Sequence, residues 1–370
     1  MFRPVRATVR LVRLHPVRAG LAILTAALAL AAGAQLWARS QLAAAERYVR
    51  AERLDEAEAG LRHCLLIWPR SADARRLAAR VARLRGDYGR AEAELVECGR
   101  LQRPPDERTQ LEWLLLRAQR GEIDEVAPSL WACAEREHPE ADHILETLAR
   151  GYMHQLRFRA ALRCLDRRLA RGPDTARVRD WRGWAREQLQ DRDGALADYR
   201  AALEAEPGRR AVRLRLVALL LERDDAAGAL PHLERLRGEP PADDEVRVGL
   251  ARCRLLKGEH AEALALLDAV LAEHPDNLGA LYFRGKALLD LGRAAEAEAA
   301  LRRALLLKPA GPNILFALYR SLQSQRGRES ETAECYARYR AAKGDLDKLY
   351  RLLGGEIERA PRDPGPPAEA

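Results

Sequence analysis

Apolar residues recur along this chain at the three- and four-residue spacing of amphipathic helices, and prolines punctuate the pattern at regular intervals. Pro69, Pro104, Pro139, Pro173, Pro207, Pro241, Pro275 and Pro309 are separated by 35, 35, 34, 34, 34, 34 and 34 residues. Proline lacks an N–H and restricts the residue before it, so each is a helix stop, and evenly spaced stops predict equivalent structural units. Twelve residues before six of these prolines stands Ala57, Ala161, Ala195, Ala229, Ala263 or Ala297, a small residue where two helices must approach. Eight residues before the same prolines come Leu61, Leu165, Tyr199, Leu233, Leu267 and Leu301, one helical turn after the alanine and on its face. That face is the predicted buried stripe of a second helix in each unit. Gly86, Gly121, Gly258 and Gly292 fall five residues before the small position or its equivalent, where a short turn between antiparallel helices calls for positive φ.

These residues resemble the tetratricopeptide repeat (TPR) family. WRGWAREQLQDRDGALADYRAALEAEP (181–207) and LYFRGKALLDLGRAAEAEAALRRALLLKP (281–309) match its helix-turn-helix pattern almost position for position. Cruder copies cover residues 38–71, 72–105, 106–139 and 140–173, and an irregular ninth unit is expected over about 310–344. The third unit departs most, with Val126 at the small position and Pro128 inside its second helix. The resemblance implies an all-α fold: a right-handed α-solenoid of about nine helical hairpins over 38–345, each burying its apolar face on its neighbours. After Gly344 a further helix is predicted from Leu346 to about Arg359, with Asp345 placed to cap it and a weak point at Gly354-Gly355. A tail rich in proline, expected to be disordered, completes the segment 346–370.

Ahead of the repeats, residues 19–37 carry no charge and would rise about 28 Å as a helix, the depth of a bilayer core. The basic segment 1–18 holds Arg3, Arg6, Arg10, Arg13 and Arg18 and no acid, and Trp37 suits a far interface. The segment reads as a single transmembrane anchor. It would place the N-terminus in the cytoplasm and the repeats on the outer side of a bacterial-type inner membrane. Ala32-Gly33-Ala34 resembles a signal-peptidase site, so a cleaved signal peptide stays open beside the anchor, as do a helix packed on the repeats and an adaptor facing the cytoplasm.

Composition agrees with a helical array: 48% of residues are hydrophobic, mostly Ala and Leu, while aromatics reach only 5%. The five N-terminal arginines account for five of the eight excess positive charges, and no run of basic residues with interleaved aromatics offers a nucleic acid a stacking platform. Cys64, Cys98 and Cys133 share one repeat position, a helix-packing distance of about 8–10 Å apart in stacked units, which is beyond disulfide reach and predicts buried free thiols. No CxxC pair is present for a zinc domain, and Cys133, His138 and His143 lack a fourth ligand, so no metal or other cofactor is expected. HExxH, GxSxG and phosphate-binding glycine motifs are absent, which argues against an enzyme and against a small-molecule substrate.

What the family resemblance implies is a non-enzymatic scaffold or adaptor that binds proteins or peptides in a groove. In the family's register the ninth position of each unit faces that groove, and here it is Arg80, Arg150, Arg252 and Lys286 in the second, fourth, seventh and eighth units. Glu46, Leu115, Trp184 and Ala218 hold it in the others, while Arg76 at the fifth position reinforces the second unit. These basic patches suit an acidic segment, with Trp184 as an apolar anchor. The alternative, arginines that merely cover solvated helix faces, stays open. The only asparagines are Asn277 and Asn313, so the Lys and Asn clamp by which some family members hold a C-terminal carboxylate is missing.

Overall fold

A computed structural model of the chain describes residues 16–136, 138–172, 175–239 and 243–359, with side chains placed at 21 and from 24 to 348 within those ranges. Residues 1–15 of the basic segment, the tail 360–370, and Pro173 and Pro241 of the proline series lie outside the described residues. Among the described residues there are 18 helices and no strand. They are α1 (Pro16–Arg50), α2 (Leu54–Ile67), α3 (Ala72–Leu84), α4 (Tyr88–Leu101), α5 (Glu107–Gln119), α6 (Ile123–Glu135), α7 (Ala141–His154), α8 (Phe158–Arg171) and α9 (Ala176–Gln188). There follow α10 (Arg192–Ala205), α11 (Arg210–Glu222), α12 (Ala226–Arg237), α13 (Asp244–Leu256), α14 (His260–Glu273), α15 (Leu278–Asp290), α16 (Ala294–Leu307), α17 (Pro312–Gln323) and α18 (Glu329–Arg359). They form two compact units, residues 1–151 and 152–370.

Helix starts are set by short polar side chains. Ser71, Asp87, Asp106, Thr175, Asp191, Asp225, Asp243 and Asn277 each accept a bond from an N–H of the first turn that would otherwise be orphaned. Within each hairpin the turn passes through one left-handed residue: Glu52, Gly86, Gly121, Leu156, Gln190, Asp224, Gly258, Gly292 or Gly327, with φ between 55° and 100°. Four of these are not glycine, and only the first four of the five glycines are among those the sequence pattern singled out.

The second-helix stripe is where the repeat pattern placed it. Ala57, Ala161, Ala195, Ala229, Ala263 and Ala297 are fully buried, and Leu61, Leu165, Tyr199, Leu233, Leu267 and Leu301 are buried one turn later. Burial of each such large side chain is worth roughly 1.5–3 kcal/mol. First and second helices come close enough to require glycine: a Cβ on Gly183 would meet the Tyr199 ring at 2.7 Å, and one on Gly285 would meet Leu301 Cγ at 2.5 Å. In the third hairpin Val126 is buried and α6 continues through Pro128, so the departure there is absorbed. All six cysteines are free; Cys64, Cys98, Cys164, Cys253 and Cys335 are buried and Cys133 is half-buried.

Two boundaries differ from expectation. Among the described residues no helix is long and apolar enough to cross a membrane, and the span expected over 19–37 does not end at its C-terminal side. Instead α1 runs unbroken for 35 residues into the first hairpin. Gln35 accepts a bond from Trp68 Nε1, the Trp37 ring lies 5.5 Å from that of His63, and Ala38 is fully buried. The last turn of the expected span therefore packs on α2, and Trp37 is half of a ring pair there. Leu21, Leu24, Leu28, Leu30 and Leu36 remain exposed. At the other end, α18 passes straight through Gly344 and Asp345, so Asp345 caps nothing. One glycine within a helix costs only about 1 kcal/mol, too little by itself to end it.

Candidate functional site

In the second unit the first helices of successive hairpins pack side by side, α11 on α13, α13 on α15 and α15 on α17. That row aligns residues 34 apart. Arg252, Lys286 and Arg320 form one line across α13, α15 and α17, and Val248, Tyr282 and Phe316 form another one turn earlier. Lys286 and Arg320 are exposed, and among the described residues neither makes an ion pair. Arg252 is half-buried: its Nη2 donates to the Leu221 carbonyl and stands 3.5 Å from the Asp224 carboxylate, while the guanidinium lies 5.5 Å from the centre of the Phe283 ring. Tyr282 sits against Phe283 with centroids 5.0 Å apart, and burial pushes its phenol above the usual range. The face thus offers two open cations and one stacked guanidinium beside partly exposed rings. Trp184, by contrast, meets Phe158 edge-on at 5.2 Å and is half-buried, so its ring closes the contact between α8 and α9.

In the first unit two of the predicted basic positions, Arg76 and Arg80, already have acids. Arg76 pairs with Asp73 at 2.7 Å and Asp106 at 3.3 Å. Arg80 donates to Glu112 at 2.5 Å and also reaches Glu140. Arg83, one turn further along α3 and only 1% exposed, donates to the other Glu112 oxygen at 2.9 and 3.1 Å and lies 2.8 Å from His143 Nε2. Burial pushes the Glu112 carboxyl up, but Arg83 and Arg80 with His143 outweigh it and hold it at about 2. Half-buried Arg150 is close enough to oppose the charge on Arg83. Here α3, α5 and α7 are tied by a charge-matched network whose cations face inward acids.

His143 is thereby engaged with Arg83, and the His138 ring accepts from the Glu140 N–H, so neither stands ready beside Cys133. Asp244, Glu273 and His274, which no spacing in the sequence marks, have donor atoms within 4.8 Å of one another. Arg247 sits among them, donating to Asp244 at 2.6 Å and to Glu273 at 2.7 and 2.8 Å, and its guanidinium fills the place of a cation. Arg320 and Phe316 were also missed, although one more 34-residue step from Lys286 reaches Arg320.

Two family models, each described as tetratricopeptide repeat, match this chain, one over residues 220–272 and 254–325 and the other over 146–210. These stretches are tetratricopeptide repeats. A human FK506-binding protein-like protein is 39% identical to the chain over 70 residues, which is 19% of this chain and 20% of that protein. The match therefore spans about a fifth of that relative's length. Among solved structures, a tetratricopeptide repeat protein from Parabacteroides merdae is similar over 76% of this chain and 98% of its own, at 15% identity and a TM-score of 0.49. PilW, described as a type IV pilus biogenesis factor, covers 58% of this chain with 99% of its own, at 18% identity and a TM-score of 0.47. PilF of Pseudomonas aeruginosa covers 69% with 99% of its own, at 15% identity and 0.42. Proteins built of tetratricopeptide repeats are generally interaction scaffolds and typically carry no catalysis of their own.

Proposed function

We propose that this protein is a non-enzymatic scaffold that holds an acidic segment of a partner protein against the row formed by α13, α15 and α17. The observation that carries this reading is the pair of exposed cations, Lys286 and Arg320, that no acid of the described chain neutralises, set beside Tyr282 and Phe316. Arg252 extends the line as a stacked guanidinium. Arg76, Arg80 and Arg150 in the first unit, and Trp184 in the second, serve mainly to hold hairpins together, because their side chains are engaged or half-buried. A photo-crosslinking residue at Tyr282 in growing cells should capture a partner, and Lys286→Glu with Arg320→Glu should abolish the adduct. An adduct that survives both reversals would refute the role of this face.

We further propose that the exposed leucines of α1, with the five arginines before them, lodge in a membrane surface without crossing it and hold the protein on the outer side of a bacterial-type inner membrane. Carbonate extraction should leave the chain with the membrane, and added protease should digest the repeats in spheroplasts without lysis. Release by carbonate, or protection of the repeats, would exclude this placement.

A further inference from the structure

We infer that the hairpin of α17 and α18 is a docking site for a proline-rich, acidic segment of a partner protein, an inference that rests on the scaffold reading and names its ligand. Four rings meet across this hairpin. Phe316 and Tyr319 of α17 stand against Tyr339 and Tyr336 of α18 at centroid distances of 5.2 and 5.0 Å, and the pairs along each helix lie 6.0 Å apart. Phe316 and Tyr336 are each 42% exposed in a chain whose aromatic content is only 5%. A clustered aromatic surface of this kind marks an interaction site, whereas apolar residues scattered singly do not.

The charge around the rings is one-sided. Arg320 lies one helical turn beyond Phe316, and Arg340 and Lys343 lie one turn beyond Tyr336 and Tyr339 on the same face of α18. All three are exposed, and among the described residues none makes an ion pair. Their neighbours Arg302 and Arg328 are different, since Glu298 and Glu331 take both. Three uncompensated cations framing four rings call for a ligand that is apolar in its ridges and acidic between them.

The backbone chemistry selects proline. Both helices satisfy their own N–H and C=O groups, so the hairpin has no strand edge with which to pair an extended peptide. A polyproline II segment needs none, because proline brings no N–H and the extended backbone stays solvated. Its rings fit the clefts between tilted aromatics, here inclined by 34° to 44°. Single-stranded nucleic acid is the weaker match, since bases stack on open ring faces and these rings lean on one another.

The test uses the full-length chain and a fluorescein-labelled peptide alternating Pro-Pro with Asp or Glu, read by fluorescence anisotropy at low salt. Saturable binding is expected, lost when lysines replace the acids, and at least tenfold weaker in Arg320→Glu with Arg340→Glu. Phe316→Ser with Tyr336→Ser should weaken it as much, with an unchanged helical signal as the folding control. Four outcomes would overturn the inference: no saturation, unchanged affinity in either double variant, tighter binding of an oligothymidylate to the same patch, or a dimer that Phe316→Ser with Tyr336→Ser disperses. If the crosslink at Tyr282 captures a partner while the peptide fails, the docking inference falls and the scaffold reading stands.

Discussion

Replacing Glu112 by alanine should strip the first unit of much of its stability. Its two oxygens receive Arg80 at 2.5 Å and Arg83 at 2.9 and 3.1 Å, and Arg83 is 1% exposed, so water cannot replace the lost carboxylate. At an effective dielectric of about 20, one pair at about 3 Å is worth roughly 5 kcal/mol before desolvation. Measured losses on breaking a buried pair from one side run at about 3–5 kcal/mol, mainly because a buried charge is stranded. With a urea slope near 2 kcal/mol per molar, the midpoint should fall by about 2 M. Tryptophan fluorescence, to which Trp113 next to Glu112 on α5 contributes, supplies one signal, with far-ultraviolet circular dichroism as the second probe. The paired change Arg83→Met with Glu112→Leu should recover most of the loss, since the deeply buried cation is gone and Arg80 keeps Glu140. A loss below about 1 kcal/mol in Glu112→Ala would show that the network carries no weight and refute the reasoning.

Because the folded protein holds Glu112 at about 2, below the ordinary carboxylate value, its contribution is complete above about pH 4.5 and fades as pH falls towards 2. Acid titration of stability should show that limb in the native protein and a flatter one in Glu112→Gln. Gly285→Ala would drive a methyl group to 2.5 Å from Leu301 Cγ and should cost about 1–3 kcal/mol by thermal melting, while the same change at Gly208, which has open space around it, should cost far less. Leu156→Gly relieves a leucine held at φ 59° and exposed to solvent, and should raise the melting midpoint by an increment equivalent to at most about 1 kcal/mol. A fall in midpoint would mean that the leucine packs in a way its exposure conceals.

Helix stops and small positions were legible because they are written as residue types at a fixed interval, and proline and alanine act through local backbone and close approach alone. The left-handed turns were only half legible. Gly86, Gly121, Gly258 and Gly292 announce the conformation, but Glu52, Leu156, Gln190 and Asp224 adopt it because antiparallel packing of two helices leaves no other path. The basic stripe shows a different limit. Spacing finds Arg80 and Lys286 alike, yet only the fold reveals that Glu112 of α5 and Glu140 just before α7 meet the first, while among the described residues no acid meets the second. Arg83, which forms the deepest bonds, looks in the sequence like one more surface arginine of α3. The proline ruler ended at Pro309, and with it the reading of Arg320 and the rings around it.

The unbroken course of α1 has a mechanical meaning. Over about 52 Å there is no joint between its leucine-bearing start and the turn that grips α2. Whatever seizes the leucines also sets the tilt and azimuth of the first hairpin, as a key turns its lock. Two or three glycines inserted after Ala38 would act as a swivel, leaving attachment intact while the repeats lose their fixed bearing.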